Sequence, residues 1–190
     1  MPNQIQAHRI ALLARKSEVL FHLKDLANLW QIKQAQTLRI TIKRYCDAGL
    51  LYRIYRGFYA TRPLTELDPQ VLGAKALHTY CYLSTESILF ATGYLSQKPQ
   101  ALSFVSARRK TIQIGEQLIL SRQLKTAFLY NSEGVEESDG VKKATPERAV
   151  ADLLYFNPLA HFDKKVDWNR VRALQKKIGY PLTPKRYVAS

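Results

Sequence analysis

Residues 35–60 read AQTLRITIKRYCDAGLLYRIYRGFYA, and the periodicity of this stretch decides the fold class of the N-terminal third. Ala35, Leu38, Ile42, Tyr45 and Cys46 recur at spacings of three and four, which predicts a helix over residues 35–48 with one apolar stripe. Gly49 closes it as a C-terminal cap. The run from Leu50 to Tyr59 is rich in aromatic and aliphatic residues, and Gly57 permits a hairpin turn within it. With about 100° of rotation per residue, the side of the helix opposite the stripe carries Gln36, Thr37, Ile40, Lys43, Arg44 and Asp47. Arg39 and Thr41 lie at its flanks.

Upstream, residues 5–16 read as a helix through Ile5, Ala7, Ile10, Leu12 and Leu13. Residues 23–30 read as a second, with Leu23, Leu26, Ala27 and Trp30 on one face. Three helices and a hairpin, with only a few residues between the second and third helix, are the pattern of a winged helix-turn-helix. The third helix then enters the major groove of double-stranded DNA. Gln34, Gln36, Thr37 and Ile40 sit near its start, where bases are read. Glutamine pairs with adenine, arginine and lysine with guanine, and an aliphatic side chain touches a thymine methyl. Arg39 flanks that group, and Lys43 and Arg44, further along, hold phosphates. The hairpin sets Arg53 and Arg56 beside Tyr52, Tyr55 and Tyr59, a basic wing for backbone or minor groove. Strict alternation would put Leu51, Arg53 and Tyr55 on one face and Tyr52, Ile54 and Arg56 on the other. The competing reading is a solvated basic helix followed by a surface hairpin.

Charge supports the first reading. The chain has 190 residues, 29 Lys and Arg against 15 Asp and Glu, and a net charge of +14. Its isoelectric point near 9.9 is the electrostatic footprint of a nucleic-acid binder. The excess is denser at the N-terminus: residues 1–62 hold 11 basic and 3 acidic side chains, residues 63–190 hold 18 and 12. An apolar content of 46% is ordinary for a globular chain, and no apolar run is long enough for a membrane helix. The start, MPNQIQAHRI, has no apolar core followed by a small-residue cleavage site. Cys46 and Cys81 form no CxxC and read as buried thiols in a reducing compartment, so a cytoplasmic location is expected.

The break at Thr61-Arg62-Pro63-Leu64-Thr65 separates two expected domains, 1–64 and 65–190. In the second, residues 69–80 and 85–93 read as helices, the latter with Ser84 as its cap. Residues 102–106, 111–114, 117–121 and 127–130 read as strands, and 132–143 as an exposed loop. Thr145-Pro146-Glu147 is a helix start, with a threonine cap before proline. Asp167 caps a last helix over 168–178, closed by Gly179. The expected fold is α+β: a winged helix-turn-helix, then an antiparallel sheet flanked by helices.

No catalytic constellation stands out. His8, His22, His78 and His161 are scattered, with neither HExxH nor a cysteine at ligand spacing. The glycines make no phosphate loop, and no GxSxG occurs. Glu133, Glu136, Glu137 and Asp139 lie on the expected loop, without the strand-borne carboxylates that a magnesium-dependent nuclease uses. Asp152 reads as a hydrogen-bonded or half-exposed residue, four positions from Arg148 and able to pair with it on the helix surface. Trp30 and Trp168 read as core residues. Tyr80, Tyr82 and Tyr94 border helices and are expected to pack in the core, a base-stacking platform being the competing reading. No enzyme, cofactor or metal is expected.

Several segments carry a resemblance. LKDLANLW (23–30), QAQTLRITIKRYCDAGLL (34–51) and RIYRGFYA (53–60) resemble the antitoxin-like AbiEi transcriptional regulators. CYLSTESILFATGYLSQKP (81–99) resembles that family's Ser-led helix, and KATPERAVADLLYF (143–156) its Pro-Glu-x-Ala-x-x-Asp-Leu helix, with Arg148 where lysine is common. The similarity spans roughly residues 20–157, and residues after Pro158 have no match in it. The resemblance implies a DNA-binding antitoxin that represses its own toxin–antitoxin operon by binding promoter repeats and counteracts a nucleotidyltransferase-like toxin. It also implies DNA contacts on the third helix, on the wing and on positive surface of the second domain, here Arg108, Arg109 and Lys110. Two other functions compete with it: an ordinary repressor with a ligand pocket or oligomerising second domain, and a DNA-processing nuclease.

Overall fold

The structure, a computed structural model, describes residues 2–183. It is α+β, with one sheet of three strands and one of six. Two compact units divide between Asp68 and Pro69, whereas the sequence break lay at 64/65. The difference is a single turn of 3-10 helix, Leu64–Glu66, which carries the chain past Pro63.

The first unit runs α1 (Pro2–Ala14), β1 (Leu20–His22), α2 (Leu23–Leu29), α3 (Ala35–Asp47), β2 (Tyr52–Tyr55) and β3 (Phe58–Ala60). Strand β1 escaped the sequence reading. Three residues carry no readable alternation, and its partner lies far along the chain: Leu20 faces Ala60 and His22 faces Phe58, antiparallel. β3 is therefore the central strand, with β2 on its other side. The core is built from Leu13, Phe21, Leu26, Trp30, Leu38, Ile42, Tyr45 and Leu51. Trp30 meets Tyr45 edge-on at 5.2 Å, the arrangement that aromatic quadrupoles favour. Their polar tips are both satisfied on α1. The Trp30 indole donates to the Arg9 carbonyl at 3.3 Å, and the Tyr45 hydroxyl donates to the Gln6 carbonyl at 3.4 Å.

The second unit contains α4 (Pro69–Leu77), β4 (Cys81–Leu83), α5 (Glu86–Ala91), β5 (Ala101–Ser106), β6 (Lys110–Ile114), β7 (Gln117–Gln123), α6 (Thr126–Leu129), β8 (Val135–Ser138), β9 (Val141–Ala144), α7 (Pro146–Phe156) and α8 (Trp168–Ile178). Its strand order is β6-β7-β5-β4-β9-β8. The sheet is mixed, not antiparallel as expected: β5 pairs parallel with β7, and β4 parallel with β9. Alternation marks a strand without its direction. Here β7 inserts between β5 and β6, which reverses the relation that a simple meander would give.

Three local readings also change. Residues 127–129 lie in the helical turn α6, with Tyr130 as its C-terminal cap, and not in a strand, a known ambiguity of short apolar runs. Residues 132–143 are not a loop but mostly the hairpin β8–β9, which turns at Asp139 and Gly140, both with positive φ (55° and 73°). Asp-Gly is the preferred pair for such a turn, and that signal stood in the sequence. Ser84 does not cap α5: Thr85 occupies the cap position, and the Ser84 hydroxyl donates to Asp152 at 2.7 Å.

The largest departure concerns α7. Thr145 caps it as expected, accepting from the Arg148 amide. Arg148 and Asp152, however, pair in the interior and not on the helix surface, and neither is exposed at all. A buried charge survives only when its hydrogen-bonding capacity is filled. The Arg148 Nε donates to Asp152 Oδ1 at 3.0 Å. Nη1 donates to the carbonyls of Asn131 and Glu133, at 3.2 and 2.9 Å. Nη2 donates to the Tyr82 hydroxyl at 2.8 Å and to the Phe128 carbonyl at 3.2 Å. Asp152 Oδ1 also accepts from the Tyr180 hydroxyl at 2.6 Å. Burial pushes the Asp152 carboxyl up, against the pull of the Arg148 guanidinium and the hydroxyls of Tyr180, Ser84 and Tyr82. Burial and the Asp152 charge lift the Tyr82 and Tyr180 phenols well above their ordinary range. Gly134 passes close to this hub: its φ is +68°, and an added Cβ would sit 2.9 Å from the Arg148 Cβ.

Candidate nucleic-acid interface

Helix α3 starts at Gln34, whose backbone is extended and whose side-chain oxygen accepts from the Thr37 hydroxyl at 3.0 Å. Four side chains face inward: Leu38, Thr41, Ile42 and Tyr45. Thr41, which the helical projection placed at a flank, is buried beneath the Arg9 guanidinium. Of the expected stripe, Ala35 is exposed and Cys46 half-buried. The outward side holds Gln36, Thr37, Arg39, Ile40, Lys43 and Arg44, all exposed. Ile40 is 44% exposed, an aliphatic surface in the middle of a polar face.

The helix ends at Ala48, and the Tyr45 carbonyl then accepts from the amides of both Leu50 and Leu51, leading the chain into β2. The register of β2 on β3 shifts between Arg53 and Tyr55. That irregularity defeats the strict alternation expected of the hairpin: Tyr52 and Arg53 are both exposed, while Ile54 and Tyr55 are both half-buried. Arg53 is near enough to α3 for its charge to lower the Cys46 thiol. Burial first, and the Asp47 carboxylate second, still hold that thiol above its ordinary range. Arg56 and Gly57 form the hairpin turn, with φ of 86° at Gly57. The turn is braced from behind: the Leu23 amide donates to the Gly57 carbonyl at 2.9 Å. Phe58 meanwhile stacks on His22 at 4.5 Å and contacts Tyr55 at 5.1 Å.

Acidic partners neutralise several cations of the second unit: Arg122 pairs with Glu86, Lys142 with Glu137, Lys143 with Asp139, Arg148 with Asp152, Arg170 with Glu147 and Asp167, and Lys177 with Glu133. Arg39, Lys43, Arg44, Arg53 and Arg56 have no acidic partner among the described residues. One helix face and one hairpin of the first unit thus carry five unpaired cations beside Gln36, Thr37 and Ile40.

Arg108, Arg109 and Lys110 belong to the second unit, in the β5–β6 turn and at the head of β6, and all are exposed. The turn is held by Ser106, whose hydroxyl donates to the Arg108 carbonyl at 2.8 Å and accepts from the Arg108 amide at 3.2 Å. Of the tyrosines, Tyr82 is in the core and Tyr80 and Tyr94 are half-buried. Trp30 is buried, whereas Trp168 is only half-buried. Cys81 is buried, and burial lifts its thiol to about 11. Among the described residues no three His, Cys, Asp or Glu side chains are placed to hold a metal ion. No helix among them is long and apolar enough to cross a membrane. A cleft of about 440 Å³ in the second unit is lined by Gln70, Ser87, Phe90, Lys98, Gln117 and Lys143, among others.

No protein-family model matches the chain, and no curated protein matches it. Among solved structures, the chain is similar to the RV2827C protein of Mycobacterium tuberculosis. The match has 14% sequence identity and a TM-score of 0.54, and covers 98% of this chain and 81% of that one. At that identity the likeness concerns the fold alone.

Proposed function

We propose that the chain is a cytoplasmic winged helix-turn-helix repressor that binds promoter DNA and acts by binding, without catalysis. The observation that carries this reading is the set of five cations, without acidic partners among the described residues, around the exposed face of α3 and the β2–β3 hairpin. In a basic protein, charges left without carboxylate partners are available for phosphates, and each phosphate neutralised releases condensed counterions. The α1-β1-α2-α3-β2-β3 order and the bracing of the hairpin turn by α2 support the same assignment. In it, α3 is the recognition helix. Gln36, Thr37, Arg39 and Ile40 read base edges, with Gln34 tied back to Thr37 at the helix start. Lys43 and Arg44 hold phosphates and orient the helix, and the hairpin bearing Arg53 and Arg56 is the wing.

The resemblance to AbiEi regulators makes the protein's own operon the natural target and a nucleotidyltransferase-like toxin the natural partner, counteracted through the second unit. Arg108, Arg109 and Lys110 would then add DNA contacts from that unit. The test is footprinting of the full chain on DNA upstream of its own gene, together with the identity of the neighbouring gene. Protection of paired repeats beside a gene for a nucleotidyltransferase-like protein supports the antitoxin reading. No protection at any salt concentration refutes the repressor.

A second reading has one observation in its favour. The cleft on the second unit has the size of a small-molecule site and mixes Lys98, Lys143, Gln70 and Gln117 with apolar walls. An ordinary repressor would use it for an effector. Operator affinity that changes when a cell extract of small molecules is added favours that reading.

A further inference from the structure

Tyr130 is 59% exposed, among the most exposed large aromatic or aliphatic side chains of the described residues. Its ring lies 5.1 Å from that of Tyr80, tilted by 46°. Lys142 Nζ stands 5.6 Å from the centre of the Tyr80 ring. The chain beyond Tyr130 is joined to the basic end of α8, since the Asn131 side-chain amide donates to the Lys177 carbonyl at 3.1 Å. Lys142 and Lys177 are both exposed, and each pairs with an exposed glutamate, Glu137 at 3.8 Å and Glu133 at 3.2 Å. Such surface pairs yield readily to a stronger anion.

The segment that presents Tyr130 is held from inside. The buried Arg148 guanidinium takes the carbonyls of Phe128, Asn131 and Glu133, on both sides of Tyr130. Phe128 itself is edge-on to Tyr155 at 5.7 Å and to Tyr180 at 5.0 Å. The exposed ring of Tyr130, beside the half-buried ring of Tyr80, is thus presented on a segment fixed before any ligand arrives, which lowers the ordering cost of binding. A duplex hides the faces of its bases, whereas a single strand offers them. Aromatic rings beside lysines are the parts from which single-strand sites are made.

We propose that Tyr80 and Tyr130 form a stacking platform for an unpaired base of a single-stranded polynucleotide, with Lys142 and Lys177 taking the adjoining phosphates. The site is on the second unit and independent of duplex binding by α3. The test uses the full chain and fluorescently labelled oligo(dT) and oligo(U) of about 12 nucleotides, a length that one such site spans. Each is compared with an abasic strand of equal length and charge, and excess unlabelled duplex occupies the first unit. The intact strand should bind about tenfold more tightly than the abasic one. Y130A should abolish that preference and Y130F should keep it, and neither exposed substitution should alter duplex binding. The ratio of oligo(dT) to oligo(U) affinity tells whether DNA or RNA is favoured. Equal binding of intact and abasic strands by the native chain overturns the proposal, as does a base preference that survives in Y130A.

Discussion

Arg148 and Asp152 stand one helical turn apart on α7 and form an ion pair at 3.0 Å with neither side chain exposed. The pair ties together parts of the chain that are remote in sequence. Through Asp152 it reaches Ser84 and Tyr180, and through Arg148 it reaches Tyr82 and the carbonyls of Phe128, Asn131 and Glu133. It is a structural hub for the second unit, and consequences for stability follow from its burial.

R148L should destabilise the protein by about 3–5 kcal/mol, because it strands a buried carboxylate. Adding D152L should restore only part of the loss. Three carbonyls and the hydroxyls of Ser84, Tyr82 and Tyr180 would still lack their present partners. Urea unfolding of the two variants measures both quantities, and full recovery in the double variant would contradict the role given to the surrounding groups.

Stability should fall as pH rises above about 9. The Cys81 thiol moves from 9.0 in the unfolded chain to about 11 in the folded one, so its contribution is complete below 9 and lost between 9 and 11. At about 1.4 kcal/mol per pH unit for one group, that is a loss of roughly 2–3 kcal/mol. The Tyr82 and Tyr180 phenols act in the same direction from their ordinary 10.0 upward. C81A should make the curve shallower between 9 and 10, where the tyrosines still contribute little and the Cys46 thiol, also raised by burial, remains. Denaturant midpoints over this pH range provide the check.

Operator affinity should weaken steeply with salt. Four cations on phosphates, Lys43, Arg44, Arg53 and Arg56, predict a slope of log K against log salt of about −3 to −4. Replacing Arg56 with Ala should reduce the slope by about one. A slope near zero would show that Lys43, Arg44, Arg53 and Arg56 do not grip the backbone.

Q36A and R56A should differ in kind. Gln36 lies on the exposed face near the start of α3, and its loss should cost about 1–3 kcal/mol on the operator and little on random DNA. Arg56 lies in the hairpin turn, and its loss should weaken both about equally. Titration of the two variants on both DNAs decides it, and identical patterns would contradict the division between base reading and phosphate contact.

The first unit was largely legible as a sequence, because its signals are local. The spacing of Leu38, Ile42 and Tyr45 placed α3 and told its inward side from its outward one. Gly49 and Gly57, both with positive φ, marked the helix end and the hairpin turn. Thr145 and Asp167 were recognisable as caps because a cap bonds to amides two or three residues away. The misreadings have a physical pattern too. Strand β1 is three residues long and exists only because β3 pairs with it. Residues 132–143 look like loop because β8 is the exposed edge of its sheet and needs no apolar alternation.

By itself, then, the sequence determined the longer helices, the Thr145 and Asp167 caps, the hairpin beside α3 and the basic character of the first 62 residues. Helical and turn propensities act over a few residues, and net charge needs no geometry. Only the tertiary structure decided the directions of the strands in the six-stranded sheet, which depend on how connections cross it. It alone also decided which charges are neutralised. Arg148 and Arg44 are the same residue type on helices of similar length, yet one is sealed in the core with Asp152 and the other stands in water without a carboxylate partner among the described residues. The reason is that desolvation and pairing depend on neighbours brought from distant parts of the chain.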